Sequence, residues 1–180
     1  NGQNCNVFAG SMSPSSFEVC LIGNTTTISS SQVPDYILSA GYELKYILSQ
    51  NDTVIGISDT PEFTIGQSGE YIIHPIVYNP NSMDLGDYQT ISSVFESTIQ
   101  GAGSLCAHLN VTGAKIIVHE LPTANIAYLE EENCDQSNGK VSLNPSNFTY
   151  LWPDGEIGST RHDLPSGNYE ITVTDFNDCS

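Results

Sequence analysis

Histidines and carboxylates are the side chains of this sequence that could carry catalytic or metal chemistry. The four histidines are widely spaced, and only His74 and His119 lie in apolar segments that predict strands. These two could bind a metal together if their strands pair, although strand histidines without nearby cysteines or clustered acids more often pack or face solvent. No G-x-S-x-G, H-E-x-x-H or phosphate-binding loop occurs. The sequence therefore favours a protein that is not an enzyme.

Calcium is the more serious hypothesis for a metal site, because hard cations prefer several oxygen ligands. Acidic side chains gather near a predicted domain boundary and at a late turn, where they could stiffen a joint between domains. The candidate ligands are Glu130, Glu131, Glu132, Asp135, Asp175 and Asp178. No spaced D-x-D-x-D-G loop is present, and the alternative is a solvated acidic surface that keeps the protein soluble.

The charge balance excludes several classes of partner. The chain of 180 residues has 4 Lys and Arg against 21 Asp and Glu, a formal net charge of −17. Nucleic-acid binding needs basic side chains to replace phosphate counterions, so we expect no nucleic-acid partner. The same shortage of basic side chains argues against binding to an anionic lipid surface. No apolar run approaches the roughly 18 residues of a membrane span, so we expect no membrane insertion.

The cysteines indicate an oxidising, extracellular location. Five cysteines are widely separated, without C-x-x-C or zinc-ligand spacing, which favours disulfides. We expect Cys134–Cys179 to hold a small second domain together, and Cys20–Cys106 in preference to Cys5–Cys20 in the first. Cys5 is then left over, free or paired with a part of the molecule outside this sequence. We expect the sequence to be a piece of a longer extracellular protein.

Short strands separated by turn residues make up most of the chain. Residues 169–175 alternate apolar and polar side chains, which predicts a half-buried strand. Residues 71–78 and 115–119 are almost continuously apolar, which is typical of strands covered on both faces. The other candidate strands are 17–22, 25–30, 42–49, 53–57, 62–65, 140–143 and 148–152. This pattern predicts an all-β protein built from β-sandwiches.

A weak internal repeat divides the chain into two domains in series. Gly69-Glu70-Tyr71 and Gly167-Asn168-Tyr169 each open a strand, and each tyrosine could pack its ring inward while its hydroxyl caps the turn, as in immunoglobulin-like sandwiches. The proline after residues 115–119 sets the boundary. We therefore predict tandem immunoglobulin-like domains at 1–122 and 124–180.

Each predicted domain has one irregular feature. In the first, residues 79–110 are too many for a hairpin loop, so we predict a long insertion with its own short elements and a helical turn near 91–99. In the second, the sequence ends soon after the strand at 169–175. We expect this domain to lack its closing strand, which a neighbouring segment could supply.

The second half resembles the repeat of giant gliding-motility and cell-surface adhesins of Bacteroidota. The matching residues are Tyr150-Leu151-Trp152, the turn Pro153-Asp154-Gly155, and the run from Leu164 through Gly167, Tyr169 and Val173 to Asp175 and Cys179. That repeat reads Y-x-W-x-x-G, then L-x-x-G-x-Y-x-V-x-V-x-D and Gly-Cys. Asp178 stands where glycine is usual before the cysteine.

The first half is similar to a companion module of the same surface proteins. The matching stretches are 41–48, 60–63, 69–74, 77–80 and Leu105-Cys106. The resemblance implies a long, repetitive protein exported by the type IX system and acting in adhesion or surface motility. It also makes Asp52-Thr53-Val54 a match to the short bacterial O-glycosylation motif, with Thr53 as the modified residue. N-x-T sequons at Asn24, Asn51, Asn110 and Asn147 would matter only in a eukaryotic secretory route.

The function predicted from the sequence is a structural or adhesive segment of a long bacterial cell-surface protein, with neighbouring repeats as its partners. One alternative is a carbohydrate-binding module of a secreted enzyme, which would bind surface polysaccharide. Trp152 is expected in the core, so Tyr88 and Phe95 of the insertion are better candidates for ligand contact unless they pin the insertion down. Another alternative is a self-assembling fibre subunit completed by strand donation.

Overall fold

The computed structural model describes residues 5–134 and 136–180 of the chain. Strands account for 45% of the residues and helices for 7%, so the predicted all-β class is confirmed. The chain divides into two compact units, Asn1–His119 and Glu120–Ser180, where the sequence predicted domains at 1–122 and 124–180. No helix among the described residues is long and apolar enough to cross a membrane.

Unit 1 is built around one large sheet with strand order β2-β10-β8-β5-β6, and β9 also pairs with β8. Two ribbons, β1-β4 and β3-β7, accompany it. The strands are β1 Met12–Ser13, β2 Ser16–Cys20, β3 Thr26–Ser29, β4 Ser31–Gln32, β5 Glu43–Gln50, β6 Thr53–Ser58, β7 Glu62–Ile65, β8 Gly69–Tyr78, β9 Ala107–Leu109 and β10 Ala114–His119.

One face of the large sheet packs against the two ribbons and makes a β-sandwich. Alternate residues of the central strands enter this core, because side chains of a strand point to opposite faces in turn. The buried members of the core are Met12, Ile28, Tyr46, Leu48, Ile65, Tyr71, Ile73, Ala114, Ile116 and Val118.

The opposite face is covered by the predicted insertion. Between β8 and β9 lie helix α1 (Ile91–Ser97) and two 3₁₀ turns, Leu85–Asp87 and Ile99–Gly101. The threonine before α1 caps it, since the Thr90 hydroxyl accepts the Ser93 N–H at 3.1 Å. Ile91 and Val94 of α1 pack on Ile47 and Ile76 of the sheet. The apolar run of β8 is therefore covered on both faces, as predicted, whereas β10 alternates buried with half-buried residues.

Unit 2 contains smaller sheets, β11-β12-β14 and β13-β15. Its strands are β11 Asn125–Glu130, β12 Gly139–Asn144, β13 Thr149–Leu151, β14 Thr160–Leu164 and β15 Thr172–Thr174. The buried core consists of Leu143, Tyr150, Trp152 and Leu164.

The strand predicted at 169–175 is shorter than its alternating pattern indicated. Only Thr172–Thr174 pair with β13, while Ile171 and Val173 still pack against the core. Tyr169 lies outside the strand, and its hydroxyl donates to the Pro165 carbonyl at 2.6 Å.

Candidate functional site

The closest approach to a catalytic arrangement is a buried serine–histidine pair in unit 1. Ser49 of β5 and His74 of β8 lie on neighbouring strands, with Ser49 Oγ 2.8 Å from His74 Nε2. The other ring nitrogen, Nδ1, lies 3.1 Å from the Asn110 carbonyl oxygen. With Nδ1 donating to this carbonyl, Nε2 of a neutral imidazole accepts the serine O–H.

This pair stabilises the sheet rather than offering a nucleophile to a substrate. Ser49 and His74 are each only 2% exposed. Burial lowers the pKa of His74 and keeps the ring neutral, whereas a backbone carbonyl stands where a catalytic triad has a carboxylate. The hydroxyl therefore has no path to a substrate atom, and the interaction satisfies two buried polar groups.

The hypothetical His74–His119 metal pair is wrong. Their strands, β8 and β10, do pair, but Ala114 stands opposite Ile73 and Val118 opposite Gly69. The two histidines are thus at opposite ends of the ladder. His119 instead has Nε2 2.7 Å from a carboxylate oxygen of Glu18 on β2.

The candidate calcium ligands of unit 2 are engaged by nearby hydrogen-bond donors. The carboxylate of Glu132 accepts the backbone N–H groups of Ser137 and Ser166, each at 2.6 Å, and these bonds lower the pKa of Glu132. One oxygen of Asp175 accepts the N–H groups of Asn177 and Cys179 at 2.8 and 3.1 Å.

The remaining candidates do not complete a cation site in the structure. Glu130 accepts the hydroxyl of Tyr128 at 3.0 Å. Asp178 lies in the turn that follows Asp175, and Asp135 lies outside the described residues. Across 5–134 and 136–180, no three His, Cys, Asp or Glu residues form a group able to hold a metal. Calcium binding stays a prediction.

The cysteine pairing differs from both predicted pairs. Cys106 is bonded to Cys5, with their Cα atoms 5.4 Å apart, and not to Cys20. Cys134 is exposed and has a free thiol, so the predicted Cys134–Cys179 bond is wrong. Cys20 and Cys179 are also disulfide-bonded.

Hydrogen bonds along the N-terminal segment explain why Cys5 reaches Cys106. The Ala9 N–H donates to His108 Nδ1 at 3.2 Å, and the side-chain amide of Asn110 donates to the Gly10 carbonyl at 2.8 Å. The Phe8 ring also packs edge-on against His108, with centroids 4.7 Å apart. This segment therefore runs beside β9, and no signal in the sequence marks that path.

Both repeated tyrosines cap their turns as the sequence predicted. The Tyr71 hydroxyl donates to the Gln67 carbonyl at 2.9 Å, and the Tyr169 hydroxyl donates to the Pro165 carbonyl at 2.6 Å. The acceptor lies four residues before the tyrosine in each case. The two rings differ in burial, since Tyr71 is 3% exposed and Tyr169 is 37% exposed.

Trp152 is part of the core, as predicted, and not a surface platform. It is 3% exposed, and its indole N–H donates to the Gly158 carbonyl at 2.8 Å. The guanidinium of Arg161 lies 5.1 Å from the ring centroid and forms two bonds to Asp154, which lower the pKa of Asp154 to about 2. In unit 1, Tyr88 and Phe95 pack against the core beneath the insertion and pin it down.

Unit 2 has a cavity of about 360 Å³ at one end of its three-stranded sheet. Leu129, Leu164 and Tyr169 supply apolar surface, and residues 130–132 and Lys140 supply charge. The ammonium group of Lys140 lies 5.4 Å from the centroid of a neighbouring tyrosine ring. The cavity therefore combines an aromatic ring with hydrogen-bonding carboxylates.

Comparison with known proteins gives a distant structural match but no family. No family model matches the chain, and no curated protein gives a significant match. One similar solved structure is that of fibronectin(III)-like modules of CbhA from Clostridium thermocellum. It is 17% identical, the alignment covers 94% of this chain and 87% of that chain, and the TM-score is 0.33. A likeness this distant carries no argument about function.

Proposed function

We propose that the chain is a structural segment that carries tension in a secreted or cell-surface protein, without a catalytic role of its own. Two disulfides are typical of proteins that fold in an oxidising compartment. The motif resemblance to Bacteroidota surface adhesins supports a place in a long repetitive chain that serves adhesion or surface motility. In such a chain each unit transmits tension to the next.

The parallel pairing of β2 with β10 is the observation that carries this proposal. The ladder runs in register from Ser16 opposite Lys115 to Cys20 opposite His119. Because the strands are parallel, the N-terminal end of β2 and the C-terminal end of β10 face opposite directions along the sheet. Tension applied at those ends slides the strands lengthwise and loads the hydrogen bonds between them together, rather than one after another.

Pulling the same interface in two directions tests the proposal. The full chain with Cys5→Ser and Cys106→Ser is held in a single-molecule force instrument, so that no covalent link joins the N-terminal segment to residue 106. With handles before residue 5 and at Leu121, the ladder is sheared. With handles at Ile22 and Leu121, both at the C-terminal ends of β2 and β10, it is unzipped.

We expect the shear geometry to open at a force several times that of the unzipping geometry. Ile22 and Leu121 suit the attachment, since their side chains are 75% and 38% exposed. Equal forces in the two geometries would contradict the proposed role in carrying tension. The comparison uses one fold and one set of bonds, so overall stability does not affect it.

A carbohydrate-binding role is a second candidate, favoured by the cavity of unit 2. An exposed Tyr169 ring could stack on a sugar face, and residues 130–132 could accept bonds from its hydroxyls. On a glycan array, Tyr169→Ala would abolish binding. Tyr169→Phe, which keeps the ring, would retain it. Absence of binding by the parent chain would remove this candidate.

A further inference from the structure

Strand β11 is an open edge of unit 2, and its apolar side chains are exposed. It is the outer strand of the sheet β11-β12-β14 and, among the described residues, pairs with β12 alone. Every second residue of such a strand points its N–H and C=O away from the sheet, where they can bond to another strand. All six residues of β11 are exposed, and none is a lysine or proline of the kind that protects many sheet edges.

Two of these apolar side chains lie on the core face of the sheet. Ile126 stands opposite Leu143 and Leu129 opposite Val141, and both partners on β12 pack in the core of unit 2. Residues that stand directly opposite each other in an antiparallel pair point to the same face. Ile126 and Leu129 nevertheless remain 58% and 55% exposed. The core face of the sheet is therefore uncovered along β11.

The cavity of unit 2 continues this uncovered face. Leu129 lines it together with Val141 and Leu164, which both belong to the core. Its volume of about 360 Å³ is enough for a large apolar side chain. A strand added beside β11 with apolar residues on the core face would therefore cover Ile126 and Leu129 and could fill the cavity, which removes apolar surface from water.

The charge of unit 2 indicates which kind of strand would bind there. Glu120–Ser180 contains two basic side chains against eleven acidic ones. Both basic groups are engaged, since Arg161 binds Asp154 and the ammonium of Lys140 lies 5.4 Å from the Tyr128 ring centroid. Three consecutive glutamates, 130–132, lie at the end of β11, and no salt bridge of the described residues involves them. This unbalanced charge favours a basic partner and opposes a second copy of the chain.

We propose that β11 and the cavity form a docking surface for an extended segment of another protein in which apolar and basic residues alternate. The segment adds a strand to the outer edge of β11 and turns its apolar residues toward Ile126 and Leu129. Its basic residues then lie on the opposite face, beside Tyr128 and Glu130, which stand opposite Ser142 and Lys140. The surface is independent of the role in carrying tension, which depends on unit 1.

Fluorescence anisotropy with the full chain and a labelled synthetic peptide tests the proposal. In the peptide, lysine and valine alternate over about eight residues, a common strand length. We expect it to bind at low ionic strength and to bind less tightly as salt is added. The same peptide with glutamate in place of lysine should not bind, because its charge has the sign of unit 2.

Two N-methylated forms of the peptide test for strand addition itself. One carries methyl groups on all valine nitrogens and the other on all lysine nitrogens. An added strand donates only one of these alternate sets of N–H groups to β11, while the other set points away. One methylated peptide should therefore lose binding and the other should retain it. A peptide held by charge alone would respond equally to both changes.

On the protein, Leu129→Lys places a charge on the core face of the open edge and should weaken binding of the lysine–valine peptide by about tenfold or more. Ile157→Lys is the matched control, since it makes the same change of charge at an apolar residue of unit 2 that is 68% exposed and does not line the cavity. This variant should bind as the parent does. If Leu129→Lys does not fold, the two methylated peptides decide the matter with the parent chain.

The proposal is overturned if the lysine–valine peptide does not bind, if both methylated forms bind equally, or if the two lysine variants weaken binding to the same extent. Self-association of the parent that Leu129→Lys abolishes would also overturn it, because β11 would then be the contact between two copies. None of these results affects the comparison of shear with unzipping in unit 1, so the two proposals fail separately.

Discussion

Acidification should destabilise unit 1 through His74. The unfolded chain binds a proton at this residue near its ordinary pKa of 6.5, whereas burial lowers the pKa of His74 in the folded state. Below pH 6.5 the unfolded state therefore binds more protons than the folded state. The free energy of unfolding falls as the pH falls, and the contribution of His74 is fully present above that pH.

The size of this loss in stability follows from the one proton that the unfolded chain binds at His74 and the folded chain does not. Each pH unit well below 6.5 costs about 1.4 kcal/mol until the folded-state pKa is reached. Between pH 6.5 and 5.5, where the unfolded histidine is still titrating, the loss is up to about 1 kcal/mol. Burial also lowers the pKa of His108, which adds a loss of the same sign.

Denaturant unfolding of the parent and of His74→Gln between pH 7.5 and 5.5 measures this contribution. Hydrogen exchange of the β8 amides assigns the transition to unit 1. The variant should lose less stability on acidification than the parent. His162→Gln is the control, since that histidine is exposed on β14 of unit 2. An unchanged pH dependence in His74→Gln would refute the role assigned to His74.

Three further outcomes are expected. Tyr71→Phe leaves the Gln67 carbonyl without its donor and should lower the free energy of unfolding of unit 1 by about 1 kcal/mol in chemical denaturation. Tyr169→Phe should cost less, because Tyr169 is more exposed, and equal losses would contradict this reasoning. Gly113→Ala should lower the melting temperature, because φ is +48° there and a Cβ would overlap the Ile73 carbonyl oxygen; an unchanged melting temperature would show that the turn adapts. Thiol titration of the native protein should find one reactive group, Cys134, and loss of that signal in Cys134→Ser would identify it.

The apolar pattern located the elements that bury side chains. The runs at 71–78 and 115–119 became central strands β8 and β10, and the predicted turn near 91–99 contains α1. The capped turns of Tyr71 and Tyr169 were also predictable, because the motif is local: tyrosine and acceptor are four residues apart. In these places the sequence and the fold obey the same short-range constraints.

Strands whose side chains are mostly exposed were not predicted from the sequence, and the reason is physical. All six residues of β11 (Asn125–Glu130) are exposed, so no alternation of buried and exposed side chains marks this strand. Strand β14 is nearly as polar, with Leu164 as its one buried residue. Their pairing with β12 depends on backbone hydrogen bonds, which leave little trace in the side-chain pattern.

The Cys5–Cys106 disulfide could not be predicted, because it depends on where the folded chain brings distant segments together. Five cysteines allow many pairings, and the pair expected from the sequence was Cys20–Cys106. The choice of Cys5 was made by contacts of the N-terminal segment with His108 and Asn110, residues about a hundred positions away. None of these contacts has a motif.

The repeated tyrosine turn shows that a local motif caps a turn but does not set the length of the neighbouring strand. Tyr71 and Tyr169 make the same bond at the same offset, yet β8 has ten residues and β15 has three. The difference lies in the neighbours: β8 pairs with β5, β9 and β10, whereas among the described residues β15 pairs with β13 alone. Each paired strand adds hydrogen bonds and covers apolar surface, so cooperative stability follows the number of neighbours. The length of each strand therefore follows the number of strands beside it, and not the tyrosine turn near its start.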